Sequence, residues 1–260
     1  MNISIQVDLT YDVPEPCMAL MQFCAANSEH QRVEGEVLKL KGDPKLHRLT
    51  AGDGVGERIW VQLKGNFECA YSASVSINRP KPSLGKLGSV ELQYLPSEVV
   101  KYLLPSRYCP VIETNLFSET GITNLQGGSL IDAFADWISK NFTYDIAASD
   151  ASTTAQQSFE QRRGVCRDYA HALISMARTI GIPARYASVY SPDVNPMDFH
   201  AVVEIYLENG WHMVDPTGMT VPQRTAIIGV GRDATDVAFL TSFGDMIFKF
   251  QQVQVVESDR

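Results

Sequence analysis

Apolar spacing changes character twice along this chain, and the changes restrict it to a mixed architecture with separated helical and strand regions. Ile3, Ile5, Val7, Leu9 and Tyr11 stand at every second position, the period of a half-buried strand. Strand-like runs follow at 36–40, 58–63, 67–77 and 89–95. Lys41-Gly42-Asp43-Pro44, Gly52-Asp53-Gly54 and Lys64-Gly65-Asn66 read as the turns between them. Short strands at such intervals predict a β-sandwich-like unit or a barrel. Ser97–Lys101 reads as a brief helix, and Pro105 and Pro110 mark a connection.

Beyond about residue 112 the period becomes helical. Leu130, Ile131, Phe134, Trp137 and Ile138 lie at helical spacing between Ser129, a candidate N-cap, and Asn141. Thr154–Arg162 is a second helix. A third begins at Cys166, carries Tyr169, Leu173, Met176 and Ile180 as its apolar stripe, and stops at Gly181-Ile182-Pro183. Strand runs resume at Ala184–Tyr190, Phe199–Leu207, Trp211–Asp215, Thr225–Gly229 and Met246–Val256. Helices followed by antiparallel strands predict an α+β domain. The expected division is a β-rich N-terminal domain over 1–112 and a catalytic domain over 113–260.

Composition narrows the function. A net charge of −8, with no basic cluster longer than Gln161-Arg162-Arg163, argues against nucleic acid or an anionic membrane as partner. The opening Met1–Leu9 alternates like a strand instead of resembling a secretion signal, so a cytoplasmic protein is expected. Cys17, Cys24, Cys69, Cys109 and Cys166 are odd in number and widely spaced, which fits neither a disulfide framework nor a zinc site. Four of them read as small buried apolar groups. No cofactor and no metal is expected. Gly229-Val230-Gly231-Arg232-Asp233-Ala234 imitates a dinucleotide fingerprint, but too little chain follows it, and it reads as a sharp strand turn.

Cys166 differs from the other cysteines in its surroundings. Gly164-Val165 delivers it onto the first turn of a helix, where unpaired N–H groups and a partial positive charge favour a thiolate. Cysteines at such starts or beside a histidinium have pKa values lowered to roughly 3.5–7.5. His200 and Asp215 follow on strand-like runs, and cysteine, histidine and aspartate together suit nucleophilic acyl transfer. Side-chain parity tests that set. Asn209-Gly210 as a two-residue turn would pair Glu204 with Asp215, leaving His200 on the same face but four residues away. That is out of reach at ~3.4 Å per residue, so a triad predicts a wider turn. The backbone N–H of Cys166 is the natural oxyanion donor, with Tyr144, Trp137 and Gln156 as chemical candidates for a second. His171 and His212 read as structural, and Asp168 as a stabiliser of the helix start.

Arg163–His171, Gly181–Tyr186, Phe199-His200-Ala201, Trp211–Thr217 and Gly231–Ala238 together resemble the transglutaminase-like superfamily over about residues 125–245. The likeness is strongest to its bacterial members with a β-rich N-terminal domain, often named as cysteine proteases. The resemblance implies a papain-like α+β fold, a triad of Cys166, His200 and Asp215, and acyl transfer from amides to water or amines. It also suggests that Tyr144 stands where relatives carry an aromatic oxyanion donor. Val202 replaces a tryptophan found in many relatives, and Thr217-Gly218-Met219 replaces a longer basic and apolar run. Both changes bear on substrate choice. The expected substrate is a peptide or protein amide, with hydrolysis as the leading reaction. Transfer to an amine, or a binding module without catalysis, are the alternatives.

Overall fold

The computed structural model describes residues 1–81, 83–113 and 115–258. Its first part is built from β1 (Asn2–Met21), β2 (Gln31–Leu40), β3 (His47–Thr50) and β4 (Glu57–Ile77). β1 and β4 pair antiparallel along their whole length, and β2 and β3 flank β4. The register breaks between Val13 and Cys17, where Pro14 and Pro16 stand. Proline has no N–H to give a ladder, so it confines itself to such irregularities. Gly65 lies opposite Val13 with φ 67°, so Lys64-Gly65-Asn66, expected as a turn between two strands, is a bend inside one. Inward residues from both sides of the bend, such as Ile5, Leu9, Val61 and Tyr71, join one core. A single bent sheet thus produces the sandwich-like pattern.

Residues 89–95 form no strand; a 3₁₀ turn occupies Leu92–Tyr94. The connection contains α1 (Ser97–Val100) and α2 (Leu116–Thr120). The second half follows as α3 (Gly127–Asn141), β5 (Thr143–Tyr144), α4 (Ala155–Gln161), β6 (Arg163–Gly164) and α5 (Cys166–Thr179). α3 starts before Ser129, whose hydroxyl donates back to the Gln126 carbonyl from within the first turn, so Ser129 is not the N-cap. The helix expected over Thr154–Arg162 is present as α4, with Thr154 as its N-cap. No helix among the described residues is long and apolar enough to cross a membrane.

β7 (Ala184–Tyr190), β8 (His200–Leu207), β9 (Gly210–Val214) and β10 (Ala226–Gly231) form a second antiparallel sheet in the order β10-β7-β8-β9. α3 and α5 pack on it through Ile131, Phe134, Leu173 and Met176 against Ala201, Val203 and Ile205. The chain ends with β11 (Leu240–Ser242) and β12 (Ile247–Glu257). Both pair with β1, so the terminal strands counted with 113–260 from sequence join the first sheet instead. The reason is an edge: β1 has β4 on one side only, and its other side needs hydrogen-bond partners. Backbone and side-chain bonds tie the two sheets together. Ala26 N donates to the Ile227 carbonyl at 2.9 Å, and the Gln31 amide bridges Ala26 and Ile227.

Candidate active site

Cys166 opens α5 and is partly exposed, whereas Cys17, Cys24, Cys69 and Cys109 are buried. Asp168 explains the helix start. Its fully buried carboxylate accepts from Val165 N at 2.8 Å, satisfying one of the first-turn donors. Gly164 makes room for it: φ is 151°, and a Cβ there would lie 2.6 Å from the Asp168 side chain. The Gly-Val-Cys-Arg-Asp order therefore encodes the turn that presents the thiol. Arg167 donates to Ser149 Oγ at 2.8 Å and to the Asp150 carbonyl, fastening the loop beside it.

His200 and Asp215 meet. His200 Nε2 lies 3.0 Å from Asp215 Oδ2, with the two side chains 1% and 2% exposed. The turn is not wider than two residues, as the sequence had required; it is displaced. Leu207 pairs with Gly210 and Tyr206 with Trp211, so the loop is Glu208-Asn209, with Asn209 at φ 68°. That register sets Glu204 opposite Met213, two residues on from the expected alignment, and brings Asp215 back to His200. Gly88 holds the turn in place, accepting from Glu208 N at 3.0 Å and donating to its carboxylate at 2.8 Å. Glu204 pairs instead with Arg185 at 2.8 Å.

Asp215 is itself held rigidly. Oδ1 accepts from Thr217 N and Oγ1 at 2.9 and 2.7 Å, and Oδ2 accepts from Thr220 N at 3.0 Å as well as from the imidazole. Burial alone lowers the pKa of His200, but the Asp215 hydrogen bond, the nearness of Cys166 and the negative charge of both raise it to about 10. Nε2 being taken, Nδ1 is the nitrogen left for the thiol, and it is buried with no hydrogen-bond partner.

The parallel pairing of β5 with β6 carries Tyr144 alongside Gly164, next to Cys166. Burial first, then the charge of Cys166, pushes its phenol pKa up. The other candidate donors lie elsewhere. The Gln156 side chain bonds to Glu160 and Glu113 N, and Trp137 stacks on Phe159. His171 is buried and accepts from Ala234 N at 3.1 Å; burial lowers its pKa to about 3, so it stays neutral. His212 bonds to the Glu208 carbonyl. The segment 229–234 that imitates a nucleotide motif ends β10 and turns beside His171.

Cys166 and His200 open onto a cavity of about 390 Å³. Its walls include residues that sequence reasoning did not connect with the site: Gln22 just after β1, Tyr108, Ser188 on β7, and Phe239 before β11. The one available signal was Gly229, since a glycine inside a strand often marks a close approach.

Residues 120–216 match the model of the transglutaminase-like superfamily core. The whole chain superposes on a crystal structure of a "putative cysteine protease" from Cytophaga hutchinsonii, with a TM-score of 0.90, 28% identity and 92% of that chain covered. An uncharacterized protein of Mycobacterium leprae is 28% identical over 64% of this chain and 64% of its own length. A protein-glutamine gamma-glutamyltransferase of Pseudomonas aeruginosa is 35% identical over 32% of this chain, but only 14% of that protein is covered. The chain thus spans less than two thirds of the curated relatives it matches.

Proposed function

We propose, for a chain whose residues 120–216 match the transglutaminase-like superfamily core, thiol-dependent acyl transfer on amides through Cys166, His200 and Asp215. The observation that carries this reading is the buried 3.0 Å contact of His200 Nε2 with Asp215, beside a partly exposed cysteine on a helix start. The Cys166 thiolate attacks the amide carbonyl, and the carbonyl oxygen gains the charge. We assign the oxyanion to Cys166 N–H at the start of α5 and to the Tyr144 hydroxyl, a reading supported by the pairing of Tyr144 with Gly164. His200, held protonated by its neighbours, passes its proton to the departing amine as the C–N bond breaks and a thioester forms. Water, deprotonated by the now neutral His200, then attacks the thioester and releases the acid and the thiol. Asp215 keeps the ring oriented throughout.

Hydrolysis is the leading reading because the structural relative matched over the whole chain is named as a protease. Transfer to an amine is the second reading, favoured by the similarity to a gamma-glutamyltransferase. One experiment separates them: trap the Cys166 thioester with a peptide-amide library, then compare its release by water and by added amine. Cys166→Ala should form no adduct. An adduct that forms equally on the variant overturns the thiol reading.

A further inference from the structure

The cavity beside Cys166 has a polar floor that nothing among the described residues satisfies. Gln22 is 2% exposed, and its Oε1 accepts from Arg58 Nε at 3.2 Å. Arg58 can only donate, so the amide orientation is set and Nε2 is the atom left over. Nε2 is buried without a partner, and so is Ser188 Oγ. The two are neighbours. Gly229 pairs across the ladder with Ser188, and a Cβ on Gly229 would lie 2.4 Å from Gln22 Nε2. Glycine at 229 thus lets an amide from the first sheet reach the row of the second sheet that carries Ser188. Around this floor stand Tyr108, Tyr186, Phe199 and Phe239, with Phe199 and Phe239 stacked at 4.7 Å. Leaving buried donors without partners is costly, and a ligand acceptor relieves that cost.

Resting on the thiol reading above, we propose that this cavity is a specificity pocket for an aromatic substrate side chain bearing an oxygen at its tip, a tyrosine-like group. The aromatic walls take the ring, Gln22 Nε2 donates to the oxygen, and Ser188 Oγ supplies a second hydrogen bond to the hydroxyl. A phenylalanine-like group fills the same walls but leaves both floor groups unpaired, and sites of this construction discriminate against the analogue lacking the oxygen. The first sheet, through Gln22, is then part of the substrate site.

The test uses alkylation of Cys166 and needs no known substrate. Plain iodoacetamide, the iodoacetamide of tyramine and that of phenethylamine are compared by mass spectrometry on the full chain. The tyramine probe should label Cys166 about tenfold or more faster than the phenethylamine probe. Gln22→Leu and Ser188→Ala should each bring that ratio towards one while leaving the plain iodoacetamide rate unchanged, which also reports that the variants are folded. A ratio near one in the unaltered protein, or a ratio insensitive to both variants, overturns the pocket. If plain iodoacetamide does not prefer Cys166 over the buried cysteines, the thiol reading itself fails, and the pocket assignment with it.

Discussion

At the scale of single residues, Asp215 carries the sharpest test. All its hydrogen bonds come from donors: Thr217 N and Oγ1, Thr220 N and His200. An asparagine there must turn its NH₂ towards a backbone N–H whichever way it flips. Asp215→Asn should therefore keep part of the activity but lower stability by on the order of 1–3 kcal/mol. Asp215→Ala should lower kcat/KM by roughly 10²–10⁴-fold, as loss of the orienting group does in other triads. The same contacts fix the pH dependence. His200 is raised from 6.5 to about 10, so its contribution to stability is fully present below pH 6.5 and is lost as pH rises through about 10. In the proposed mechanism a protonated His200 releases the amine, so kcat/KM should fall over the same alkaline range. In Asp215→Ala that alkaline fall should move to lower pH; a profile identical to the parent's would remove Asp215 from the imidazole's environment.

At the scale of elements, α5 is fastened at both ends by charged side chains that face inward. Asp168 does this at the start and Arg178 at the end. Arg178 is 8% exposed and donates to the carbonyls of Ala184, Leu104 and Arg232 at 2.9, 3.2 and 2.6 Å, linking α5 to the start of β7, to the segment after α1 and to the end of β10. Arg178→Met keeps much of the apolar stem and leaves those buried carbonyls unpaired. It should destabilise the protein by on the order of 3 kcal/mol, read as a lowered urea midpoint with an unchanged m-value. The β8–β9 hairpin shows the opposite kind of control. Asn-Gly suggested one two-residue turn, whereas contact with Gly88 and the positive φ of Asn209 select another, one residue earlier.

At the scale of the whole molecule, the two sheets are not independent. The Gln31 amide bonds to Ala26 and Ile227, Tyr190 Oη donates to the Phe23 carbonyl at 2.6 Å, and Tyr190, Ala226 and Ile228 of the second sheet enter the core of the first. β12 closes the first sheet from the far end of the chain. Unfolding should accordingly be one cooperative event. In native-state hydrogen exchange under increasing urea, peptides from β4 and α5 should lose their slowest protection at the same concentration. Separate transitions for the two would show that the interface contributes little.

Local chemistry determined much of this protein from its sequence alone. The helix that presents Cys166, its stop at Gly181, the strand carrying His200, the strand leading to Asp215 and the short helix after Thr154 depend on neighbouring residues, so periodicity and turn residues reveal them. Long-range pairing decided the rest. The bend inside β4, the missing strand at 89–95 and the return of β11 and β12 to β1 are settled by which edges lie free once the chain is compact. The hairpin register that joins His200 to Asp215 shifted by two residues because of Gly88, far away in sequence. Gln22 beside Ser188 was equally out of reach of sequence reading: their meeting depends on a glycine in a third strand leaving room, and only tertiary packing brings those three strands together.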